Sequence, residues 1–231
     1  MRPKTIILST LFSLNSILFI TNQPDKFYQA TALSKSVSQS IPELEDINKF
    51  REAFEARYVP SGDMEPTIQV NDKVLIDKHT YKLEEPERGD IVTFNPPEIL
   101  IRQNIRDPFI KRIIGLPGET VEIKAGQVYI NTLPLQEGYI TEPPLYEYGP
   151  VQIPANSYFV LGDNRNNSYD SHYWGFVPRS LIFGKAIAIY CPVERQQILD
   201  TSVPLSPKNQ AIFSTIQEIF RRSPSLCNLS P

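Results

Sequence analysis

Short β-prone runs, each ending in a turn, follow one another from residue 59 to residue 190 of the chain. They are rich in β-branched and aromatic residues, and most are short enough to be strands rather than helices. Glycine, proline, aspartate and asparagine fill the segments between them, which is typical of tight turns. This pattern predicts a mainly β protein built on an antiparallel sheet. The predicted strands are residues 73–76, 90–94, 109–114, 120–123, 128–130, 158–161 and 183–190, and residues 121–131 predict a hairpin.

The segment before the first of these runs has a different pattern. Residues 47–58 (INKFREAFEARY) have a helix-forming composition, and Phe50, Phe54 and Tyr58 recur every four residues. That spacing places the three aromatic side chains on one face of a helix. The sequence therefore predicts an amphipathic helix over residues 47–58.

The N-terminus carries a signal for export or for membrane attachment. Arg2 and Lys4 precede an uncharged, mostly apolar stretch that extends to Pro24. A basic start followed by an apolar run fits a cleaved signal peptide and a membrane anchor equally well. Both alternatives place the folded domain on the trans side of a plasma or other energy-transducing membrane. We expect an anchor or signal peptide at 1–24, a polar connector at 25–50, the folded domain at 51–198 and a Ser/Pro-rich tail at 199–231.

The composition of the chain limits which partners and cofactors we expect. The chain has 231 residues, a net charge of −3 and no Lys/Arg-rich run, so we expect no nucleic-acid partner. Its two cysteines, Cys191 and Cys227, are too far apart in sequence to suggest a metal site. We therefore expect no metal and no cofactor. In an exported domain the two thiols could form a disulfide, but two unpaired thiols fit the sequence as well.

Four sequence blocks contain the residues that could carry chemistry. They are VPSGDMEPT at 59–67, RGDIVTF at 88–94, FIKRIIGLPGE at 109–119 and GDNRNNSYDSHYWGFVP at 162–178. In this order they resemble the type I signal peptidases, which are endopeptidases with a serine nucleophile and a lysine base. The resemblance extends over about residues 57–192. It implies an antiparallel β catalytic core with a second, smaller β lobe at about 115–156.

A lysine can act as the base only when burial favours its neutral form, because a solvated ammonium has no lone pair to offer. Lys111 lies in an apolar run, and strand alternation places it on the same face as Phe109. The resemblance assigns Lys111 to the general-base position. It also implies that Ser168 hydrogen-bonds this amine and orients it, and that Ser61 contributes to the oxyanion hole.

The resemblance further implies a substrate cleft and a stabilised loop. An apolar cleft would accept the small side chains that precede a scissile bond in preprotein signal peptides. Asp170 and His172 would have structural roles in the loop around the site. A Ser-His-Asp triad built on these two residues is disfavoured, because they lie two residues apart in one loop. The cleft residues assigned in this way are Val59, Pro60, Met64, Ile68, Phe109 and Ile110.

The nucleophile position departs from the family pattern, because this chain has Asp63 where the family has serine. Attack by a carboxylate on an amide would form a mixed anhydride and would have to expel an amine. An anion at this position also stabilises the lysine ammonium, so we expect an Asp63–Lys111 ion pair that holds the base protonated. Attack by Ser61 would need a backbone shift of several ångströms, and a misplacement of about 1 Å is already costly.

Two hypotheses follow from these blocks. The first is an active signal peptidase I, a membrane protein that removes signal peptides after Ala-x-Ala-like sites. The second is a catalytically inactive homologue that binds signal peptides or regulates an active signal peptidase. Chemistry at position 63 favours the second hypothesis, and the preserved blocks around it favour the first.

Overall fold

The computed structural model describes residues 52–199 together with Ser214, Gln217, Glu218 and Cys227. The predictions for the N-terminal segment, the connector and most of the tail lie outside these residues. Among the residues described, no helix is both long enough and apolar enough to cross a membrane. The strands are β1 (Phe54–Tyr58), β2 (Lys73–Asp77), β3 (Ile91–Phe94), β4 (Phe109–Gly115), β5 (Thr120–Lys124), β6 (Gln127–Ile130), β7 (Leu133–Pro134), β8 (Tyr148–Gln152), β9 (Ser157–Leu161), β10 (Val177–Pro178), β11 (Ile182–Cys191) and β12 (Gln197–Ile198).

Short helical segments connect some of these strands. They are α1 (Thr80–Leu83), α2 (Glu98–Arg102) and α3 (Ser171–Trp174), with 3-10 turns at Arg179–Leu181 and Val193–Arg195. Asp170 caps the N-terminus of α3, and its side chain accepts a hydrogen bond from the backbone N–H of His172. Aspartate is a favourable residue at this position, because its carboxylate satisfies an N–H group that has no partner within the helix.

Two antiparallel sheets contain all of these strands. The larger sheet has the order β1-β2-β11-β3-β4-β9-β10, with β12 paired to β11, and the smaller has the order β7-β6-β5-β8. Every sequence run predicted as a strand is a strand, with bounds within about two residues. The predicted hairpin is formed by β5 and β6. The prediction of a mainly antiparallel β protein with a second, smaller β lobe is therefore confirmed.

The helix predicted over residues 47–58 is wrong for its last five residues. Residues 54–58 form β1, an edge strand whose register pairs Phe54 with Asp77 and Tyr58 with Lys73. Residues four apart lie on one face of a strand as well as of a helix, so the aromatic spacing did not distinguish the two. Pairing with β2 makes this segment a strand. Along it, Phe54 is buried at 7% exposure, whereas Tyr58 is 43% exposed.

Strand β4 has both faces buried, and this fixes the environment of Lys111. Ile113 packs in one core cluster with Phe94 and Trp174, whereas Ile114 packs in another against the smaller sheet. Ile110 packs against a third cluster, which lies beneath the loop between β1 and β2. A strand covered on both faces tends to have an apolar sequence, and residues 109–115 are apolar apart from Lys111 and Arg112. Any charged side chain in this strand is therefore removed from water.

A disulfide joins Cys191, at the end of β11, to Cys227, with 5.7 Å between their Cα atoms. The sequence left this pairing open. In the structure neither cysteine is a free thiol.

Gly184 in β11 provides a test of the packing between strands. A Cβ atom there would collide with the side chain of Ile76 and would lie 3.0 Å from both the Thr93 hydroxyl and the Asp77 carbonyl. We expect Gly184→Ala to lower the free energy of unfolding by about 1–3 kcal/mol, because the surrounding strands must move. Urea denaturation followed by circular dichroism measures this change.

Gly138→Ala is the matched control, since a Cβ at Gly138 would meet no atom within 4 Å. Its free energy of unfolding should stay within about 0.5 kcal/mol of wild type. Equal effects of the two substitutions would contradict the packing described for β11.

Candidate active site

The loop between β1 and β2 presents Asp63 at the surface. Its ends are joined by hydrogen bonds from Val59 N to Asp72 O and from Asn71 N to Val59 O, each 2.9 Å long. Met64 and Ile68 are buried in the core beneath the loop and anchor it there. The side chain of Asp63 is 24% exposed. The loop therefore has a fixed base and holds a carboxylate at position 63, where the sequence analysis predicts the nucleophile position.

Lys111 extends from β4 to this carboxylate. Its Nζ lies 2.6 Å from Asp63 Oδ2, and its side chain is only 3% exposed. This is the ion pair that the substitution at position 63 predicts. The amine is almost fully removed from water, and the Asp63 carboxylate occupies its hydrogen-bonding position, where a dyad lysine would take a proton from a hydroxyl.

Ser168 lies in the same site, but it does not form the hydrogen bond with the Lys111 amine that was predicted for it. Its Oγ is buried and has no hydrogen-bond partner among the described residues. A carboxylate forms a stronger, charge-assisted hydrogen bond with an ammonium than a hydroxyl does, so the Lys111 amine is directed to Asp63. The hydrogen bond predicted between Ser168 and Lys111 is thus absent from this structure, and the orienting role of Ser168 stays a prediction.

Gly162 allows two loops of the site to approach each other closely: the loop of Asp63 and the loop of residues 162–170 between β9 and α3, which we call the signature loop. A Cβ at this position would collide with the carbonyl oxygen of Asp63 and with the side chain of Ser168. Asn164 strengthens the junction, with its backbone N–H donating to Asp63 O at 3.0 Å and its side chain donating to Gly62 O at 3.1 Å. Position 63 is thus fixed by close backbone packing as well as by its ion pair.

The predicted cleft residues differ in their exposure. Val59, Met64 and Ile68 are buried in one core cluster, and Ile110 packs against that cluster while remaining half-buried. Phe109 is half-buried against Phe94 and Trp174, on the other face of β4. Pro60 and Ser61 are exposed at the start of the loop. Contact of the cleft residues with substrate stays a prediction, and so does the role of Ser61 as an oxyanion-hole donor.

Asp170 is fully buried and connects the signature loop to the site. Its Oδ2 accepts the Gly162 N–H at 2.9 Å, and its Oδ1 lies 2.7 Å from His172 Nδ1. The His172 ring stacks on Tyr146 at 4.0 Å between centroids. In the described part of the chain the hydrogen bonds of His172 go to Asp170 alone, so no Ser-His-Asp triad forms here. These contacts fit structural roles for both residues.

Asp163 and Arg112 form a buried ion pair that the sequence analysis missed. Arg112 donates to Asp163 through Nε at 2.8 Å and through Nη2 at 2.6 Å. The Thr67 hydroxyl donates to the same carboxylate at 2.5 Å. The pair thereby joins β4 to the signature loop and to the loop of Asp63. The sequence did contain a signal for this pair. Arg112 lies next to Lys111 in an apolar run, and a charge that is buried in such a strand needs a partner of opposite charge.

A second missed pair joins the signature loop to the segment after β7. Arg165 is fully buried and donates to Glu137 through Nη1 at 2.8 Å and Nη2 at 2.5 Å, and its Nε donates to Gly162 O at 3.0 Å. Burial, together with the Glu137 carboxylate, raises the pKa of Tyr139 well above its usual value. Glu137 lies in a polar connecting segment, where nothing in the local pattern indicates a buried partner.

Comparison with known proteins identifies the family of this chain. Residues 50–191 match the family model described as "Signal peptidase, peptidase S26". The chain therefore belongs to the S26 signal peptidase family.

Several relatives share this part of the chain. "Probable signal peptidase I-2" of Synechocystis sp. is 58% identical over 145 residues, which is 63% of this chain and 66% of that protein. "Signal peptidase I" of Leptolyngbya laminosa is 54% identical over 143 residues, which is 61% of this chain and 70% of that protein. "Thylakoidal processing peptidase 1, chloroplastic" of Arabidopsis thaliana is 40% identical, over 62% of this chain and 44% of that protein. The chain thus spans between 44% and 70% of the length of these relatives.

The buried pair of Arg165 and Glu137 allows a stability test. We expect Glu137→Gln to lower the free energy of unfolding by about 3–5 kcal/mol, because it leaves the buried guanidinium without a counter-charge. Chemical denaturation measures the change. Glu98→Gln is the matched control, since it breaks the exposed Glu98–Arg102 pair and should change stability by less than about 0.5 kcal/mol. A Glu137→Gln protein as stable as wild type would contradict the anchoring role of this pair.

Proposed function

We propose that this chain is a signal peptidase homologue that binds signal peptides but cleaves them very slowly or not at all. The observation that carries the proposal is the 2.6 Å contact between Lys111 Nζ and Asp63 Oδ2, with the lysine side chain 3% exposed. The contact unites the base position of the family with a carboxylate at its nucleophile position.

The chemistry of the pair opposes turnover in two ways. Peptide-bond cleavage by a Ser–Lys dyad needs a hydroxyl to attack and a neutral amine to take its proton. Asp63 supplies no hydroxyl, and the ammonium beside it has no lone pair. The Asp63 carboxylate also occupies the position 2.6 Å from Lys111 Nζ that an attacking hydroxyl would need in order to pass its proton to the amine.

Peptide binding does not depend on residue 63 being serine. An extended peptide can add to a strand using backbone hydrogen bonds, with shallow pockets for alternate side chains. Exposed Pro60 and half-buried Phe109 and Ile110 are available to line such pockets. The occupants we propose are signal peptides with small residues in an Ala-x-Ala pattern. Anchorage through residues 1–24 would place the domain on the trans side of a membrane, where it could also associate with an active relative.

Family membership favours a second candidate function, which is cleavage of exported preproteins. The relatives that match this chain are named as peptidases. The two functions make opposite predictions for the same set of variants.

A cleavage assay with a fluorogenic Ala-x-Ala peptide distinguishes them. We expect no measurable turnover by wild type and at least about a 10²-fold increase for Asp63→Ser, because serine restores the hydroxyl and removes the counter-ion of Lys111. Adding Lys111→Ala to Asp63→Ser should abolish that gain, whereas adding Arg102→Ala, on the exposed face of α2, should not. Turnover by wild type that is lost in the single Lys111→Ala variant would establish the second function instead.

Binding can be measured separately from cleavage. Fluorescence anisotropy with a labelled signal peptide should give dissociation constants within about threefold for wild type and Asp63→Asn, because residue 63 is not needed for strand addition and neither side chain supplies a hydroxyl that could cleave the peptide. A peptide with aspartate in place of both alanines of the Ala-x-Ala pattern should bind at least about tenfold more weakly, because shallow apolar pockets reject buried charge. Equal affinities for the two peptides would contradict selective binding of signal peptides.

A further inference from the structure

The residues that follow the family match pack against the loop of Asp63. Residues 193–199, which we call the clasp, comprise the 3-10 turn Val193–Arg195, Gln196, strand β12 and Leu199. The clasp is paired to β11, with Ala188 opposite Ile198 and Ile189 opposite Gln197. The family match ends at residue 191, so this segment lies just beyond it.

Arg195 connects the clasp to both the carboxylate and the backbone of the loop. Its Nε and Nη2 donate to the two oxygens of Asp72, each at 2.8 Å, and Nη2 also donates to Thr67 O at 3.3 Å. Asp72 is buried and also accepts the Gln69 N–H at 2.7 Å. A guanidinium fork fits a carboxylate in two places at once, which fixes orientation as well as distance.

Two more clasp residues reach the same loop. Gln197 Nε2 donates to Thr67 O at 3.2 Å, and Leu199 packs against the core cluster that contains Met64 and Ile68. Gln197 and Leu199 are two residues apart, which places them on one side of the extended segment at β12. Arg195 reaches the same loop from the end of the 3-10 turn, two residues before Gln197. Gln196, between them, donates instead to Tyr190 O at 2.9 Å. The clasp thus presents one continuous face to the loop.

Thr67 is held from two directions. Its carbonyl oxygen accepts from Arg195 and Gln197, and its hydroxyl donates to Asp163 in the signature loop. The hydrogen bond from Ile68 N to Met64 O closes the turn that connects this anchor to Asp63. A displacement of Thr67 would therefore be transmitted to position 63 through one turn of backbone.

We propose that the clasp is a positioning element that sets the distance between the side chain at position 63 and Lys111, with Arg195 as its main positioning residue. This inference goes beyond the proposed function. It requires neither cleavage nor peptide binding. The inference can therefore fail while the proposed function stands, and the proposed function can fail while the inference stands.

A thiol at position 63 reports this distance directly. In an Asp63→Cys protein the introduced thiol is the only free one, because the two native cysteines are bonded to each other. A thiolate beside an ammonium has a lowered pKa, so its alkylation by iodoacetamide begins at a lower pH than that of an ordinary cysteine. The midpoint of the pH profile of alkylation, measured without reductant by intact mass, therefore measures how closely Lys111 approaches position 63.

Arg195→Met in this background should shift the alkylation midpoint upward by about one pH unit, towards the ordinary value of a cysteine. Arg195→Lys should raise the midpoint almost as much as Arg195→Met does, because an ammonium cannot bridge Asp72 and Thr67 as the guanidinium does. Arg179→Met is the matched control: Arg179 also bridges a carboxylate and a carbonyl, those of Glu85 and Tyr81, and its side chain is 24% exposed against 27% for Arg195. It should leave the midpoint unchanged.

Stability is measured on the same proteins, so that a general loss of fold is separated from a loss of position. If Arg195→Met does not fold, Gln197→Leu, which removes only one donor to Thr67 O, takes its place and should give a smaller upward shift. A midpoint that is unchanged in the folded clasp variant overturns the proposal. An equal shift in Arg179→Met overturns it as well, because the effect would then not belong to the clasp.

Discussion

Two adjacent cations in β4, Lys111 and Arg112, are buried, and their need for counter-charges organises the site. Lys111 is paired with Asp63 and Arg112 with Asp163. The two carboxylates come from different loops, so the two pairs hold both loops against one strand. A buried charge that loses its partner is strongly destabilising. The position of the candidate site is therefore a consequence of how β4 satisfies its charges, and Gly162 permits the close approach of the loops that this requires.

The sequence was most informative where local pattern and long-range structure agree. The strands were predictable because short β-branched runs bounded by turn residues have few alternatives. The Asp63–Lys111 pair was predictable once the blocks had been matched to the family, because a carboxylate at the nucleophile position faces the base. Residues 54–58 were mistaken for helix, because a spacing of four fits both structures and only pairing with β2 separates them.

Apart from the Asp63–Lys111 pair, the sequence did not reveal which distant residues would be partners. Nothing near Glu137 indicates that it would bind Arg165, and nothing near Arg195 indicates Asp72. In both pairs an arginine reaches a carboxylate in a distant segment, and the choice of partner depends on how the loops are folded over the sheet. The geometry of Ser168 was missed for a related reason. The family contact presupposes a neutral hydroxyl at position 63, and a carboxylate redirects the amine.

The ion pair also changes how the site can be regarded. Hydrolysis of a peptide bond leaves a free carboxylate on the departing signal peptide, and a dyad lysine must then release that anion before a further cycle. In this chain a carboxylate of the same kind is covalently attached beside Lys111 and cannot diffuse away. Under the proposed function, Asp63 is a tethered mimic of the cleaved product, and the site resembles the form that follows the chemical step.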